Sequence, residues 1–130
     1  MFLKLILFGL GIITLILLAT KKNLFRSRSA YNGNWNGTYV GEVDSGAWSI
    51  IIGFDGKVTG TVISSVTKTH HIVSGVVDGK GAMEIHDEGK PVLFFKGTLD
   101  LNTTLAAGSW ENQLTDPVTG GNWNGSKFFG

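Results

Sequence analysis

The 130-residue chain contains no cysteine, and this absence excludes several kinds of chemistry. Disulfides, a lipid-modified cysteine, thiolate zinc sites and a cysteine nucleophile are all ruled out. The sequence also has no nucleophile elbow and no glycine-rich phosphate loop, which are short motifs of hydrolases and nucleotide-binding proteins. We therefore expect no cofactor and a non-catalytic protein.

Arginine is absent after residue 28, and charge is unevenly distributed along the chain. Residues 1–30 hold five basic residues and no acid, whereas residues 31–130 hold six lysines and all ten acids, a net charge of −4. Proteins that bind nucleic acid need lysine and arginine to neutralise phosphates. The acidic, arginine-free part of the chain therefore indicates that nucleic acid is not a partner.

One long apolar run is present, Leu5–Ala19, and it is flanked by lysines on both sides. A helix over residues 2–20 would be about 28 Å long, which nearly matches a hydrocarbon core of about 30 Å. We therefore predict a membrane anchor or signal segment at residues 1–22, followed by a basic linker at 23–32. An uncleaved anchor is favoured over a cleaved signal peptide, because no good pair of small residues marks a cleavage site.

The flanking charges leave open the side of the membrane on which the following domain lies. Basic residues after the apolar run outnumber those before it, which by the positive-inside rule places the domain in the cytoplasm. A basic start followed by an apolar segment is instead typical of an exported protein. We favour a single-pass anchor with the domain on the extracytoplasmic side, in the periplasm or at the surface.

Residues 33–130 lack helical periodicity and alternate short β-prone runs with turns. Turn signals rich in glycine, aspartate and asparagine recur every 10 to 15 residues, which is typical of a sandwich or a barrel. The predicted strands lie near residues 34–43, 47–53, 57–64, 70–77, 80–86, 91–99, 103–111 and 121–129. Short connections predict an up-and-down meander. We therefore predict an all-β domain, an eight-stranded antiparallel barrel at 33–130.

Side-chain alternation in the second predicted hairpin supports this fold. With a three-residue loop at Phe54–Gly56, in which Gly56 has positive φ, Ile52 opposes Val58 and Trp48 opposes Val62. These pairs lie on one apolar face, and the opposite face is mixed. A half-buried antiparallel pair requires this pattern.

A second hairpin, with a two-residue turn at Asp78-Gly79, contains the one cluster that suggests a metal site. Its predicted inner face holds Ile72, Ser74, Val76, Met83 and Ile85. His71 then opposes His86 on the other face, with Glu84 two positions away, and opposed side chains about 5 Å apart can share a metal ion. Because that face is polar, a solvated surface explains the three residues better, and no metal is predicted. Glu42 and Asp44 are possible paired acids, although turn chemistry explains Asp44.

The pentapeptide GNWNG occurs at Gly33–Gly37 and again at Gly121–Gly125, on the first and last predicted strands. Open sheet edges invite aggregation, and pairing these two strands would close the barrel. We predict that the repeat marks this seam, with each Trp lying over the gap left by the Gly of the other copy. The alternative is that W-x-G is a common composition of a kinked strand.

The start of the domain resembles calycin-type small barrels such as lipocalins and avidins. Lipocalins open their first strand with G-x-W, matched here by Gly33-Asn34-Trp35, and Lys127 matches a basic residue that packs over that Trp. Avidin-like chains follow G-x-W with an apolar strand, D-G and T-G, matched by Trp48–Ile52, Asp55-Gly56 and Thr59-Gly60. Transferrin-binding-type surface barrels are also similar, but their lipidated cysteine is absent. The tryptophan strands of the avidin biotin site have no counterpart, so biotin is not implied.

The predicted interior is largely apolar and aromatic. It comprises Trp35, Tyr39, Trp48, Ile50, Ile52, Val58, Val62, Ile72, Val76, Met83, Ile85, Phe94, Trp110 and Trp123. We predict a module that binds a small apolar ligand or a protein partner near the membrane, and the candidate lining residues are Trp35, Tyr39, Trp48, Trp110, Trp123 and Lys127. The alternatives are a structural or inhibitor-type protein acting through its surface and loops, and a small-barrel enzyme. An enzyme needs convergent polar groups, for which the predicted interior offers mainly Ser74, Lys96 and Lys127.

Overall fold

A closed eight-stranded antiparallel barrel forms the described part of the chain, residues 29–89 and 91–129 of a computed structural model. The strands are β1 (Gly33–Gly41), β2 (Ser45–Ile52), β3 (Lys57–Ser64), β4 (His70–Val77), β5 (Ala82–Asp87), β6 (Leu93–Asp100), β7 (Leu105–Asn112) and β8 (Thr119–Lys127). Each strand pairs with the next, and β8 pairs with β1. The all-β, up-and-down prediction is therefore confirmed.

The anchor predicted at 1–22 and most of the linker predicted at 23–32 lie outside the described residues. Within the described ranges, no helix has the length and apolar character needed to cross a membrane.

The GNWNG repeat lies at the seam, as predicted. β1 and β8 are antiparallel, with Gly37 opposite Gly125 and Tyr39 opposite Trp123. The predicted interlock of each Trp with the Gly of the other copy is wrong, because the two glycines face each other. The ring next to Gly125 is that of Trp48 on β2, since a Cβ built on Gly125 would lie 2.5 Å from its Cζ2 atom.

The β2–β3 hairpin has the predicted register. Ile52 lies opposite Val58 and Trp48 lies opposite Val62, and all four side chains are buried. Gly56 has a φ of +83°, a left-handed conformation that glycine adopts without steric cost.

The predicted register of the β4–β5 hairpin is wrong. In the observed register, the face of β4 that was predicted to point into the barrel points outward. Val77 pairs with Met83, so the connection is longer than the predicted two-residue turn. The Asp78 carboxylate accepts hydrogen bonds from the backbone N–H groups of Lys80 and Ala82, and these bonds shape the longer turn. Strand β4 is apolar on both faces, so alternation alone could not select the buried one.

The inner face of β4 therefore holds Val73 and Val77, which are buried. Ile72 and Val76, both predicted to be interior, are 61% and 58% exposed. Ser74 also faces outward, where it pairs with His86.

Strand β6 shows a similar correction at two consecutive phenylalanines. Phe95 is the buried one, with 3% of its surface exposed. Phe94, predicted to be interior, lies outside with its ring 6.2 Å from that of His86. Lys96 also faces outward, opposite Ser109, and not into the barrel. The other predicted interior residues are buried, namely Trp35, Tyr39, Trp48, Ile50, Ile52, Val58, Val62, Met83, Ile85, Trp110 and Trp123.

Tryptophan rings on the inner wall lie across pairs of glycines on neighbouring strands. Trp123 on β8 is opposite Gly108 on β7, which is opposite Gly97 on β6. A Cβ would lie 2.4 Å from the ring atom Cζ2 at Gly97 and 2.7 Å from Cε2 at Gly108. The indole N–H donates to the backbone carbonyls of Lys96 and Ser109, at 3.1 and 3.0 Å. The ring therefore needs both glycines beneath it.

The same arrangement, a tryptophan followed by two paired glycines and an indole N–H bonded to a backbone carbonyl, occurs in two further rows. The rows are Trp48–Gly37–Gly125 with the carbonyl of Thr38, and Trp110–Gly121–Gly41 with the carbonyl of Val40. In a small barrel, glycines on the inner wall provide the space that large rings need to cross from one strand to the next. The core is therefore organised by these three rows.

The two ends of the barrel differ. The entry end is where β1 starts and β8 finishes, and it carries the β2–β3, β4–β5 and β6–β7 connections. Tyr31 is buried there, and its backbone carbonyl accepts the indole N–H of Trp35 at 2.9 Å. The far end carries the β1–β2, β3–β4, β5–β6 and β7–β8 connections. Tyr31 therefore closes the entry end, and an opening into the barrel is expected at the far end.

Candidate binding pocket at the far end of the barrel

Packed aromatic rings fill the middle of the barrel. Trp48 and Trp123 make an edge-to-face contact with their ring centroids 5.4 Å apart. Tyr39 makes similar contacts with Trp110 and Phe95, at 5.2 and 5.8 Å. Of the aromatic residues predicted to line a ligand site, Trp48 contacts Trp123 and Tyr39 contacts Trp110, and Trp35 is fully buried.

Lys127, the remaining predicted lining residue, lies at the entry end. It is opposite Trp35 in the β1–β8 register. Its Nζ atom lies 5.8 Å from the ring centroid of Phe129. This ammonium group therefore lies at the rim of the barrel and next to an exposed aromatic ring.

A pocket of about 240 Å³ opens at the far end. All four far-end connections or the strands next to them contribute to it, through Asp44, Thr67, Thr69, His71, Val92, Leu93, Asn112 and Leu114. The lining combines a carboxylate, an imidazole, hydroxyls and an amide with three aliphatic side chains. Such a mixture can hold a group that is polar at its tip and apolar along its length.

Asp44 is held at the pocket wall by a network of hydrogen bonds. The Ser64 hydroxyl donates to its Oδ1 atom at 2.6 Å, and the Tyr39 hydroxyl donates to Oδ2 at 3.2 Å. Ser64 in turn accepts hydrogen bonds from the backbone N–H groups of Val66 and Thr67, at 3.1 and 3.0 Å. The β1–β2 and β3–β4 connections are therefore tied together by one carboxylate.

Burial raises the pKa of Tyr39 to about 12, and the neighbouring Asp44 carboxylate adds to the shift through its charge and its hydrogen bond. The native state therefore favours the protonated phenol, a contribution present in full below pH 10 and lost as the pH rises from 10 to 12. We expect a steeper alkaline loss of urea resistance in the wild type than in Tyr39→Phe. Other titrating groups are common to both proteins, so equal slopes between pH 10 and 12 would contradict the assignment.

Asp87 fixes the opposite wall of the pocket. It is buried, and its Oδ1 atom accepts hydrogen bonds from the backbone N–H groups of Val92 and Leu93, at 2.8 and 3.0 Å. This carboxylate therefore positions Val92 and Leu93, two of the three aliphatic residues that line the pocket. Buried carboxylates need such partners, because an unpaired charge in the interior is costly.

The histidines are not brought together as the sequence suggested. His71 lies on the inner side of β4, opposite Val62, and its Nε2 atom is 3.2 Å from the Thr69 hydroxyl. His86 and Glu84 lie on the outer side of β5, opposite Ser74 and Lys96. The predicted opposition of His71 and His86 is therefore wrong. Among residues 29–89 and 91–129, no group of three or more His, Cys, Asp or Glu is placed to hold a metal ion.

A second, smaller pocket of about 150 Å³ lies on the β6–β7 wall. Phe94, Lys96, Ser109, Trp110 and Glu111 line it. It is an open depression between outward side chains, and it does not reach the Asp44 network.

Charge separates the two ends of the barrel. Six carboxylates lie at the far end, in Glu42, Asp44, Asp87, Glu88, Glu111 and Asp116, and Lys68 is the one lysine among the described residues there. The entry end balances three aspartates with three lysines. Its aspartates accept hydrogen bonds from backbone N–H groups of their own turns. The hydrogen bonds from Ala82 and Lys80 lower the pKa of Asp78. The excess negative charge is therefore concentrated around the far-end pocket.

Comparison of the chain with protein-family models, with curated proteins and with solved structures gives no significant match.

The sequence analysis names two residues of this pocket, Asp44 and His71, but does not predict the pocket, and none of the predicted lining residues belongs to it. Asp44 was recognised as a turn residue, but its partners Tyr39 and Ser64 were not linked to it. A signal was present, since Tyr39 and Asp44 flank one tight connection and Ser64 ends the strand that pairs with β2. The sequence contains no such signal for Asp87, because its hydrogen bonds with the N–H groups of Val92 and Leu93 depend on the conformation of the β5–β6 connection.

Proposed function

We propose that this protein is a membrane-tethered, non-catalytic β-barrel module that binds a protein partner through the far-end pocket. The anchor at residues 1–22, the extracytoplasmic placement and the calycin-like character of the barrel all belong to this proposal. The apolar run and the G-x-W start of β1 support them.

The observation that carries the proposal is the contrast between the packed core and the open far end. A small apolar ligand would need space among the aromatic rings, and those rings contact one another. Pockets for small molecules usually have volumes of about 300–1,000 Å³, whereas the far-end pocket has about 240 Å³. This volume suits one protruding side chain of a protein better than a separate ligand.

The chemistry of the far end favours a basic side chain on the partner. The Asp44 carboxylate lines the pocket, and the surrounding loops are acidic. Leu114, which lines the pocket, is 73% exposed, and Val43, Val66 and Val118 are also exposed on the far-end loops. A lysine or arginine has an aliphatic stem and a charged tip, and both parts find matching groups here. Complementary charge would also select the partner and speed its encounter.

Site-specific crosslinking in the native host tests this function. A photocrosslinking amino acid placed at Leu114, on the far end, is expected to give one defined adduct. The same amino acid at Ile51, exposed on the outer wall of β2, is expected to give none. Adducts of equal yield from both positions would contradict the proposal, as would no adduct from Leu114.

A lysine introduced at the pocket can be compared with the same substitution on the outer wall of the barrel. Thr69→Lys places an ammonium group at the pocket, and we expect at least about a tenfold loss of the Leu114 adduct, equivalent to about 1.4 kcal/mol. Thr59→Lys makes the same change on the outer wall of β3 and is expected to leave the yield unchanged. A Thr69→Lys protein that keeps the adduct would move the partner away from this pocket.

A further inference from the structure

We propose that the entry end of the barrel rests on the lipid bilayer, with its exposed apolar side chains in the headgroup region and the far-end pocket directed away from the membrane. This inference rests on the tether in the proposed function and goes beyond it, since a tether alone leaves the barrel free to tumble. The occupant of the entry end is a lipid surface and not a second protein.

The position at which the chain reaches the barrel determines which end lies nearest to the predicted anchor. The backbone N–H of Ser29 donates to the carbonyl of Phe54 in the β2–β3 turn, so the chain arrives at the entry end. Residues 20–28 separate the apolar run from Ser29 and can span at most about 32 Å when fully extended. The entry end is therefore the part of the barrel that the predicted anchor holds nearest to the membrane.

The entry end also has an exposed apolar surface. Phe54, Leu101, Phe128 and Phe129 are exposed there, and Phe129 is 72% exposed. The Phe128 segment is held in place, because its backbone N–H donates to the carbonyl of Asn34 at 2.7 Å and that of Lys127 donates to Thr104 at 2.9 Å. Phenylalanine and leucine beside lysine are typical of surfaces that lie in the bilayer interface.

Charge also favours this orientation. Anionic lipids at a membrane surface attract basic segments next to an anchor by about 1 kcal/mol per lysine or arginine. The linker residues Lys21, Lys22, Arg26 and Arg28 precede the entry end in sequence. The carboxylates of the far end would be repelled by the same surface. The far end also has exposed apolar side chains, but they are aliphatic and surrounded by acids.

The absence of cysteine allows a clean test with the full-length chain. Leu101→Cys at the entry end and Leu114→Cys at the far end each carry an environment-sensitive fluorophore. Each protein is reconstituted in vesicles of equal parts phosphatidylcholine and phosphatidylglycerol that contain a lipid spin-labelled in the headgroup region. We expect quenching at least about twofold stronger at Leu101→Cys, because an interfacial side chain lies within a layer of roughly 5–10 Å.

A glutamate introduced at the entry end tests whether the barrel contacts the bilayer or only lies close to it. Phe129→Glu is expected to reduce the quenching at Leu101→Cys, whereas Val66→Glu at the far end should not. Equal quenching at Leu101→Cys and Leu114→Cys, or stronger quenching at Leu114→Cys, overturns the orientation while vesicle flotation still reports the tether. A chain that fails to float with the vesicles overturns the tether and the orientation together, and the crosslinking result at Leu114 then decides the partner separately.

Discussion

Replacing Trp123 by alanine is expected to lower the free energy of unfolding by about 3–5 kcal/mol, the usual cost of removing a large buried aromatic ring. The ring bridges β8, β7 and β6, and its loss leaves the carbonyls of Lys96 and Ser109 without their indole donor. Domains of this size are stable by about 5–15 kcal/mol in total. Since unfolding slopes in urea are about 1–3 kcal/mol per M for small proteins, the urea midpoint of Trp123→Ala should lie at least about 1 M below that of the wild type.

The control lies one residue away on the same strand. Asn122 is exposed on the outer face of β8, and Asn122→Ala is expected to change stability by no more than about 0.5 kcal/mol. If both variants had the wild-type midpoint, Trp123 would not support the barrel, and the rows of tryptophan over glycine would have no energetic role.

The ring contact between Trp48 and Trp123 makes a further distinction possible. Because the two rings pack edge to face at 5.4 Å, the pair Trp48→Phe and Trp123→Phe is expected to be non-additive by about 0.5–3 kcal/mol. The repeat alone would instead pair Trp35 with Trp123, since the two residues occupy equivalent places in the two copies. A smaller coupling for Trp35→Phe with Trp123→Phe would confirm that the edge-to-face contact of Trp48 with Trp123, and not the repeat, sets the packing.

The fold was predictable because two signals agreed. Turn residues at regular intervals gave the number of strands, and the repeated pentapeptide marked the two strands that had to meet. Register in the β2–β3 hairpin was also predictable, because Trp48 is flanked by Ala47 and Ser49 and Val58 is flanked by Lys57 and Thr59. These residues mark the inner face in spite of the uninterrupted run Ile50–Ile52. A single apolar face leaves one way to bury the strand.

Register failed where the pattern was degenerate. In β4, the residues Ile72, Val73, Val76 and Val77 are apolar on both faces, and in β6 two phenylalanines are adjacent. The choice between faces then depends on turn hydrogen bonds, such as those of Asp78 and Asp87 with backbone N–H groups several residues away. Those bonds involve the folded loop and have no periodic signature.

The candidate pocket was less predictable than the fold for a related reason. Its residues come from four connections that are far apart in sequence, and the barrel brings them together at one end. A sequence predicts only clusters whose residues are close along the chain or across one hairpin. The one cluster predicted in this way, His71, Glu84 and His86, is split between two faces of the barrel wall. The end surfaces of a closed barrel are formed by connections that only the complete topology brings together, whereas a single hairpin defines only part of the barrel wall.

Replacing Gly125 by alanine is expected to disrupt the seam, although it adds a single methyl group. A Cβ at this position would lie 2.2 Å from the carbonyl oxygen of Asn36 and 2.5 Å from Cζ2 of Trp48. The first contact is with backbone, which cannot move without breaking the β1–β8 ladder. We expect destabilisation at the upper end of the range of about 1–3 kcal/mol for overpacked sites, or beyond it.

Gly79→Ala is the matched control, because nothing lies within 4 Å of a Cβ built there and its φ is outside the left-handed range. It is expected to be neutral or to stabilise the protein by about 0.4–1 kcal/mol, through a less flexible unfolded chain. Combining Gly125→Ala with Trp48→Phe relieves only the contact with the ring, so the clash with the Asn36 carbonyl should keep the double variant destabilised. Full recovery of the wild-type urea midpoint in that double variant would show that the ring alone requires Gly125, and that β1 and β8 can separate enough to accept a side chain at the seam.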